Sequence, residues 1–460
     1  MPSRKSVSRR QFVKGAAALA VGGPTIISAR ALGLAQQTPP SERLALGFIG
    51  IGKQASGHLG ALSGLVKTQV VAVCDVHTGR RERAKNSTEE KYKRLERPAT
   101  VAQYVDYHEL LDRKDIDAVV IGVPDHWHTA IAMDAAKAGK DIYCEKPLTL
   151  TIHEAKTIVE TIRKYNRVFQ TGSQQRSEGP FRQACEYVRN GRLGKIREVW
   201  VGVGATSKWC DLPGHDTPAG LEWDMWLGQA PQRQWNDVVC RNETNPDKYP
   251  FNPGWRDYRE YSGGYVTDWG AYHFDITQWA LDMDHSGPVE VIPPPEDTDE
   301  YGVRLVYQGS PVGDHIVVTH KRDVWEGEVK DRRTGRVRRT MQTNGILFIG
   351  DNGQIFVSRE MIASEPDTIL KDPIKPNEIQ LFKSPGHREN WMQCIKTREK
   401  PIADVEIGAR SVTVCHLANL AYWHHRRLKW DPQNWEFVDD VVANTWRQRA
   451  RRDKYPLPTV

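Results

Sequence analysis

Four groups of residues in this chain have types and spacings that could do chemistry. The first is Gly50-Ile51-Gly52-Lys53-Gln54-Ala55, a G-x-G-x-x-A turn. In such a turn the first glycine makes the bend, the second lets backbone approach a pyrophosphate, and the last position stays small for helix–strand packing. A helix starting there points its unpaired N–H groups at the phosphates. Gly50, Gly52, Lys53, Gln54 and Ala55 are therefore expected against a dinucleotide. The second is Asp75, which closes the apolar run Val70-Val71-Ala72-Val73-Cys74. A carboxylate there accepts from ribose hydroxyls and repels a 2′-phosphate, which favours NAD over NADP; Arg80 and Arg81 weaken that preference. The third and fourth are Pro124-Asp125-His126-Trp127-His128 and Glu145-Lys146-Pro147, each following an apolar run. His126 and His128 offer two metal ligands, but no third is evident, and no metal is expected.

These groups need elements to hold them. Leu44–Ile49, Val70–Cys74, Ala118–Val123, Asp141–Cys144 and Val168–Gln170 read as buried strands, and helical stretches separate them,. Alternation of that kind predicts a parallel sheet, with ligands outside the carboxyl ends of its strands. After Gly172 the alternation stops. Strand-like runs at Ile196–Val203, Val303–Tyr307, His315–Thr319, Ile346–Ile349 and Gln354–Val357 predict a largely antiparallel sheet, with a late helix at Ile407–Tyr422 and a charged hairpin around Thr334-Gly335,. The expected fold class is α/β: a Rossmann dinucleotide-binding domain at 42–171, an α+β domain with a large, mostly antiparallel open sheet at 172–430, and a C-terminal extension at 431–460.

The turn, Pro124-Asp125-His126-Trp127-His128, Glu145-Lys146-Pro147 and Asp268-Trp269-Gly270-Ala271-Tyr272-His273-Phe274-Asp275 together resemble the Gfo/Idh/MocA oxidoreductase family. The resemblance covers nearly the whole chain beyond its first 35 residues. It implies NAD as cofactor, a sugar or polyol as substrate, and a second domain that packs on the first and forms oligomer contacts. Lys146 is the expected proton carrier. Hydride transfer from a secondary alcohol requires loss of the hydroxyl proton, and a lysine beside the cationic nicotinamide is disfavoured as a cation; enzymes tune such lysines to roughly 7–8. Pro124, Asp125, His128 and Glu145 are expected at the cofactor, His128 also near substrate. Family members commonly carry Asp, then His four residues later, then Asp three after that. Here Asp268 and Asp275 fit, but Tyr272 holds the middle position and His273 follows it. One residue turns a helix by about 100°, so either Tyr272 takes the role or a local shift presents His273. Trp127 is expected to stack on a sugar face, and Gln175 and Arg176 to reach its hydroxyls, with Asp275 beside them. The chain has 15 Trp against 10 Phe. A flat apolar ring with an N–H donor suits a carbohydrate, and Trp209 and Trp255, flanked by Lys208 and Arg256, are the candidates.

Residues 1–35 read as an address. Ser8-Arg9-Arg10-Gln11-Phe12-Val13-Lys14 is a twin-arginine pattern before a weakly apolar run, with small-residue cleavage sites near Ala31 and Ala35,. The leader's six basic residues account for the whole net charge of +6, leaving 58 basic against 58 acidic residues. That balance argues against a nucleic-acid partner, and the run Arg447–Arg452 reads as a solvated tail. Seven cysteines, an odd number without C-x-x-C, do not make a disulfide framework,. The sequence predicts a periplasmic or otherwise exported homo-oligomer, carried by the twin-arginine machinery with its cofactor loaded. Its expected activity is NAD(P)-dependent oxidation of a secondary alcohol of a sugar or glycoside. The alternative is an NAD-dependent glycoside hydrolase, redox-neutral overall. A non-catalytic sugar-binding protein is disfavoured because Lys146 is present.

Overall fold

Six apolar segments form the first sheet: β1 (Leu44–Ile49), β2 (Thr68–Cys74), β3 (Ala102–Tyr104), β4 (Ala118–Ile121), β5 (Asp141–Cys144) and β6 (Phe169–Thr171). They pair side by side, all parallel, in the order β3-β2-β1-β4-β5-β6. Every residue of β4 and β5 is buried, the signature of strands covered on both faces. Strand order reverses between β1 and β4, and a crevice opens at the carboxyl ends there. Gly50 ends β1 with φ +80°. A Cβ on it would lie 2.6 Å from Val123 Cγ1, and one on Gly122 would lie 2.6 Å from the Cβ of Ala55. The small third position of the turn thus lets the first helix, Lys53–Gly64, sit tight against β4. This computed structural model describes residues 39, 42–241, 254–296, 302–330 and 337–460. The expected leader, 1–35, and the hairpin turn at Thr334-Gly335 lie outside the described residues.

The second sheet has nine strands. Its members are β7 (Ile196–Gly202), β8 (Glu290–Ile292), β9 (Arg304–Ser310), β10 (Gly313–His320), β13 (Gly345–Gly350), β14 (Gly353–Val357), β15 (Ile362–Glu365), β16 (Leu428–Asp431) and β17 (Glu436–Phe437). They lie in the order β15-β14-β13-β7-β10-β9-β8-β16-β17. Only the β7–β10 pairing is parallel, which agrees with the mostly antiparallel sheet expected. Between β10 and β13 in the chain, β11 (Trp325–Lys330) and β12 (Val337–Gln342) form a separate hairpin, with Trp325 stacked on Phe356 at 5.0 Å. The expected domain end at residue 430 falls inside β16, because the chain returns there to pair with β8.

Helix Val405–His424 packs on both helix Ile152–Lys164 of the first layer and helix Gly270–Ala280 of the second. Residues Leu44–Val460 form one unit, and a single apolar cluster runs through both sheets. The C-terminal basic run corrects the expectation of a solvated tail. Arg451 Nη1 lies 2.8 Å from Glu154 Oε1, Arg452 Nη1 lies 2.5 Å from Asp224 Oδ1, and Arg449 donates to the carbonyl of Arg259. These guanidinium groups pin the last segment back onto the body. Among the described residues no helix is long and apolar enough to cross a membrane.

Candidate active site

The crevice at the sheet's carboxyl edge is a cavity of about 1650 Å³, walled by both domains. One stretch is the glycine turn. Gly52 begins the first helix and offers no capping side chain. A Cβ placed on it would meet only the Gly122 carbonyl oxygen, at 3.9 Å. A phosphate therefore has open space against the first-turn amides, and a side chain at Gly52 would fill it. Asp75, at the end of β2, lines the same wall. Its Oδ2 accepts from the Ile51 amide at 2.7 Å and its Oδ1 from the His77 amide at 2.9 Å. Each oxygen keeps a further lone pair for a ribose hydroxyl. Arg80 and Arg83 line the wall nearby, while Arg81 is turned to the Asp75 carbonyl and Thr78. The donor set, the open turn and the carboxylate fit NAD.

Lys146 sits where β5 has ended. Its Nζ donates to Asp268 Oδ1 at 2.5 Å and to the Asp268 carbonyl at 3.1 Å, and lies 4.8 Å from the centre of the Tyr272 ring. Arg256 Nε reaches the same carboxylate oxygen at 3.3 Å. Burial is the largest influence and depresses the Lys146 ammonium, but the Asp268 charge, Tyr272 and the Asp268 hydrogen bond together outweigh it and carry the lysine above its ordinary value. This upward pull opposes the lowering expected from a cationic nicotinamide beside the lysine. For Asp268 burial works upward and Lys146 and Arg256 prevail, keeping the carboxyl below the usual range. Asp125 starts helix Asp125–Lys137 and accepts from the Ser262 hydroxyl at 2.6 Å. Burial pushes it up to about 7, against the pull of Arg256.

Glu145 lies behind Lys146. Its Oε1 is 2.7 Å from His58 Nε2, and its Oε2 accepts from the Lys146 amide at 3.3 Å. Arg388 donates to His58 Nδ1 at 3.1 Å, so the ring proton sits on Nε2 and points at Glu145. Burial, the largest influence, favours the neutral acid, but His58, Lys146 and Gln54 together outweigh it and Glu145 stays below the usual range. His128 is fixed by two carbonyls, Pro147 O at 2.7 Å and Val123 O at 3.0 Å, and burial lowers it to about 4. Its neutral ring forms wall and does not carry a proton near pH 7.

Gly50, Gly52, Lys53, Gln54, Asp75, Pro124, Asp125, Trp127, His128, Glu145, Lys146, Trp255, Asp268 and Tyr272 come together around this cavity. Ala55 is buried behind the turn. Five expected site residues stand elsewhere. His273 turns into the core, its Nδ1 2.9 Å from the Gly202 carbonyl of β7, because the Trp269–Gly270 break leaves Tyr272 facing the cavity. Arg176 and Asp275 form a buried ion pair at 2.7 Å, closed off by Asp284 at 2.6 Å and the Ser411 hydroxyl at 2.7 Å. That pair holds two helices together and reaches no sugar. Gln175 is fully buried. Trp209 is 59% exposed and lies under Arg259 outside the cavity. Trp127 lines the wall, but its N–H is taken by the Trp226 carbonyl at 3.0 Å. Among the described residues no group of three His, Cys, Asp or Glu side chains is placed to hold a metal.

Several lining residues carried no local signal. Arg359, in the loop after β14, has its guanidinium carbon 4.6 Å from the Tyr272 ring and 4.7 Å from Trp269. The C-terminal residues Tyr455–Thr459 form another wall, with Tyr455 edge-on to Trp127 at 5.5 Å. His58 was legible in principle: it lies one helical turn after Gln54 and faces the same way.

Comparison with known proteins agrees with the fold. The GFO_IDH_MocA model, described as an oxidoreductase family with an NAD-binding Rossmann fold, matches residues 44–173. Its companion, the C-terminal alpha/beta domain of that oxidoreductase family, matches 195–318 and 340–457. The alpha-N-acetylgalactosaminidase of Shewanella oneidensis is 31% identical over 173 residues, covering 35% of this chain and 38% of that protein. The inositol 2-dehydrogenase of Salmonella typhimurium is 33% identical over 155 residues, covering 33% of this chain and 43% of that protein. The chain thus spans less than half the length of these curated relatives. Among solved structures, the WlbA dehydrogenase of Bordetella pertussis, in complex with NADH and UDP-GlcNAcA, superposes with TM-score 0.54 at 16% identity, covering 84% of this chain and 98% of that one. The myo-inositol 2-dehydrogenase of Lactobacillus plantarum gives 0.51 at 17% identity, over 84% and 99%. Both show the shared fold.

Proposed function

The chain belongs to the Gfo/Idh/MocA oxidoreductase family, whose Rossmann domain binds NAD, and from that premise we propose that it oxidises a secondary alcohol of a sugar or polyol. One observation carries the proposal: the Lys146 ammonium, with its Asp268 counter-charge, lines the same cavity as the Gly50–Gly52 turn. NAD, when bound, supplies the hydride acceptor. The turn and the first-turn amides would hold the pyrophosphate, and Asp75 would take the adenosine ribose,. The nicotinamide charge would oppose the upward pull of Asp268, and Lys146 Nζ, once it has released its own proton, would take the hydroxyl proton. Tyr272, whose hydroxyl donates to Gln174 Oε1 at 3.4 Å and whose pKa is raised by burial, is a donor to the reacting oxygen and not a base. Asp125 can hold a proton near neutrality beside them. Glu145 positions the Lys146 backbone.

Lys146→Met keeps the apolar stem and removes the amine. Turnover is expected to fall by roughly 10²–10⁴-fold, with NAD binding retained. Near-normal turnover would remove Lys146 from the mechanism. The alternative of redox-neutral glycoside hydrolysis keeps specific support in the 31% identity to the alpha-N-acetylgalactosaminidase. Product analysis separates the two: a pyranoside gives a ketosugar in one case and free sugar in the other.

The reading extends to export. The Arg9-Arg10 pair would send the folded, cofactor-loaded protein across the membrane as a homo-oligomer joined through its nine-stranded sheet. Replacing both arginines by lysine keeps the charge but not the receptor's signal, so the protein should then stay in the cytoplasm. Efficient export of that variant would sink the assignment.

A further inference from the structure

We infer that the sugar accepted here carries an anionic group, a carboxylate or a phosphate, and that Arg359 together with Arg256 receives it. The inference rests on the reading of this cavity as a sugar-oxidising site. Three cationic side chains, Lys146, Arg256 and Arg359, line the substrate end, and the carboxylate bonded to the first two is the single group of Asp268. Of the other acids nearby, Glu145 bonds His58, Asp125 accepts from the Ser262 hydroxyl, and burial raises Glu178, the carboxyl near Arg359, toward its neutral form. Lys53 begins the helix whose amides face the pyrophosphate, so its charge belongs with the cofactor. Nicotinamide adds a further positive charge to the substrate side when it binds. A neutral polyol would leave this excess uncompensated, whereas an anion would balance it.

The placement of Arg359 gives the charge a geometry. Its guanidinium carbon lies 4.6 Å from the Tyr272 ring centre and 4.7 Å from that of Trp269. A guanidinium resting on aromatic rings is fixed in place while its N–H fork stays available for a planar or tetrahedral oxyanion. Lys146 Nζ lies 4.8 Å from the same Tyr272 centre. The proton carrier and the fork thus both border the Tyr272 ring at one end of the cavity. Arg256, 4.5 Å from the Trp255 ring and bonded to Asp268, completes the cationic edge.

The test uses the full chain loaded with NADH and measures ligand binding by calorimetry. Matched probes are D-glucuronate, D-galacturonate and glucose 6-phosphate against D-glucose and D-galactose. At least one acid is expected to bind about tenfold or more tightly than its neutral partner, the effect of a charge-assisted pair. Arg359→Gln should bring that ratio near one, with NADH affinity as the control for folding. A preference for the uronates assigns a carboxylate, and one for the sugar phosphate assigns a phosphate. A guanidinium that merely braces Tyr272 would leave the acid-to-neutral ratio intact in the variant, and that overturns the inference. So does equal binding of acids and neutral sugars, or no binding of any acid. If NADH itself fails to bind, the oxidoreductase reading falls; if NADH binds and a neutral sugar is oxidised while the acids are ignored, only this inference falls.

Discussion

Replacing Asp268 by asparagine keeps the shape of the side chain and removes one charge between two cations. Lys146 Nζ at 2.5 Å and Arg256 Nε at 3.3 Å both depend on the same oxygen, and the lysine and aspartate side chains are only 10% and 12% exposed. In the native protein burial is the largest influence on Lys146, but the Asp268 charge and hydrogen bond, with Tyr272, together lift it above the ordinary lysine value of about 10.4,. Without that charge, burial and the neighbouring Arg256 are opposed only by Tyr272 and push the ammonium downward. An opposite charge at this range is worth about 1–3 pH units, so Lys146 should become neutral at least one unit lower than in the native protein. The alkaline-rising limb of kcat/KM for alcohol oxidation should move to lower pH by that amount. Stability should change with its own sign. The native pair stabilises fully between the two titrations: it weakens as pH falls through the lowered Asp268 value and as pH rises through the raised Lys146 value. The Asp268→Asn substitution should cost about 3–5 kcal/mol at neutral pH, the usual penalty for orphaning one member of a buried pair, and the deficit should shrink as alkali removes the Lys146 proton. Thermal melts across pH 6 to 10 and the pH–rate profile read both effects. A limb that stays put, or moves to higher pH, would refute the claim that Asp268 sets the proton affinity of Lys146.

Asp75→Ala should lower the ratio of NAD to NADP affinity, since the acceptor for the ribose and for the Ile51 amide is lost; fluorescence titration with both reduced cofactors checks it, and an unchanged ratio would assign the choice to Arg80 or Arg83. Tyr272→Phe should lower kcat with little change in melting temperature, whereas His273→Ala should destabilise the protein and leave kcat of the folded enzyme near normal, because that ring bonds Gly202 within the core. Asp224→Ala removes the carboxylate that Arg452, Lys454 and the Tyr455 hydroxyl share at 2.5, 2.7 and 3.0 Å. Trypsin should then cut the C-terminal segment faster and NADH should bind more weakly; cleavage at the native rate would show that Asp224 does not anchor it.

What the sequence made legible was what the chain keeps local. The G-x-G-x-x-A turn, the carboxylate closing β2 and the lysine after β5 each sit within a few residues of the strand that presents them, so order along the chain predicts place in the fold. Contacts between distant segments were not legible. Nothing near Arg359 in sequence marks it as a partner of Tyr272, 87 positions earlier, because β13 and β14 must first pair before their loop reaches helix Gly270–Ala280. Arg176 reads as a substrate grip from its place after the Val168–Gln170 strand, and Asp275 from the pattern of the family resemblance. Only their burial beside Ser411 and Asp284 shows that each is already satisfied by the other. The arginine-rich end failed for the same reason: a basic run is solvated unless carboxylates and carbonyls elsewhere in the chain are positioned to receive it, as Glu154, Asp224 and the Arg259 carbonyl are.

The helix carrying Tyr272 explains why proton chemistry converges on one residue. A histidine at that position could share a proton near neutrality, but here the imidazole is one step further round the helix and faces β7, and the cavity receives a phenol. Burial raises that phenol above its ordinary value, so it donates a hydrogen bond and does not accept the substrate proton near pH 7. His128 cannot act either, since burial keeps its ring neutral against the two carbonyls that would favour the cation. Lys146 is left as the base, and its readiness depends on a balance between burial, Arg256 and the Asp268 carboxylate. Any oxyanion received at Arg359 and Arg256 would draw Arg256 away from Asp268 and strengthen the aspartate's hold on Lys146. An anionic substrate would therefore raise the pH at which the lysine can accept a proton, and the pH optimum for oxidation should lie higher with an acidic sugar than with its neutral counterpart.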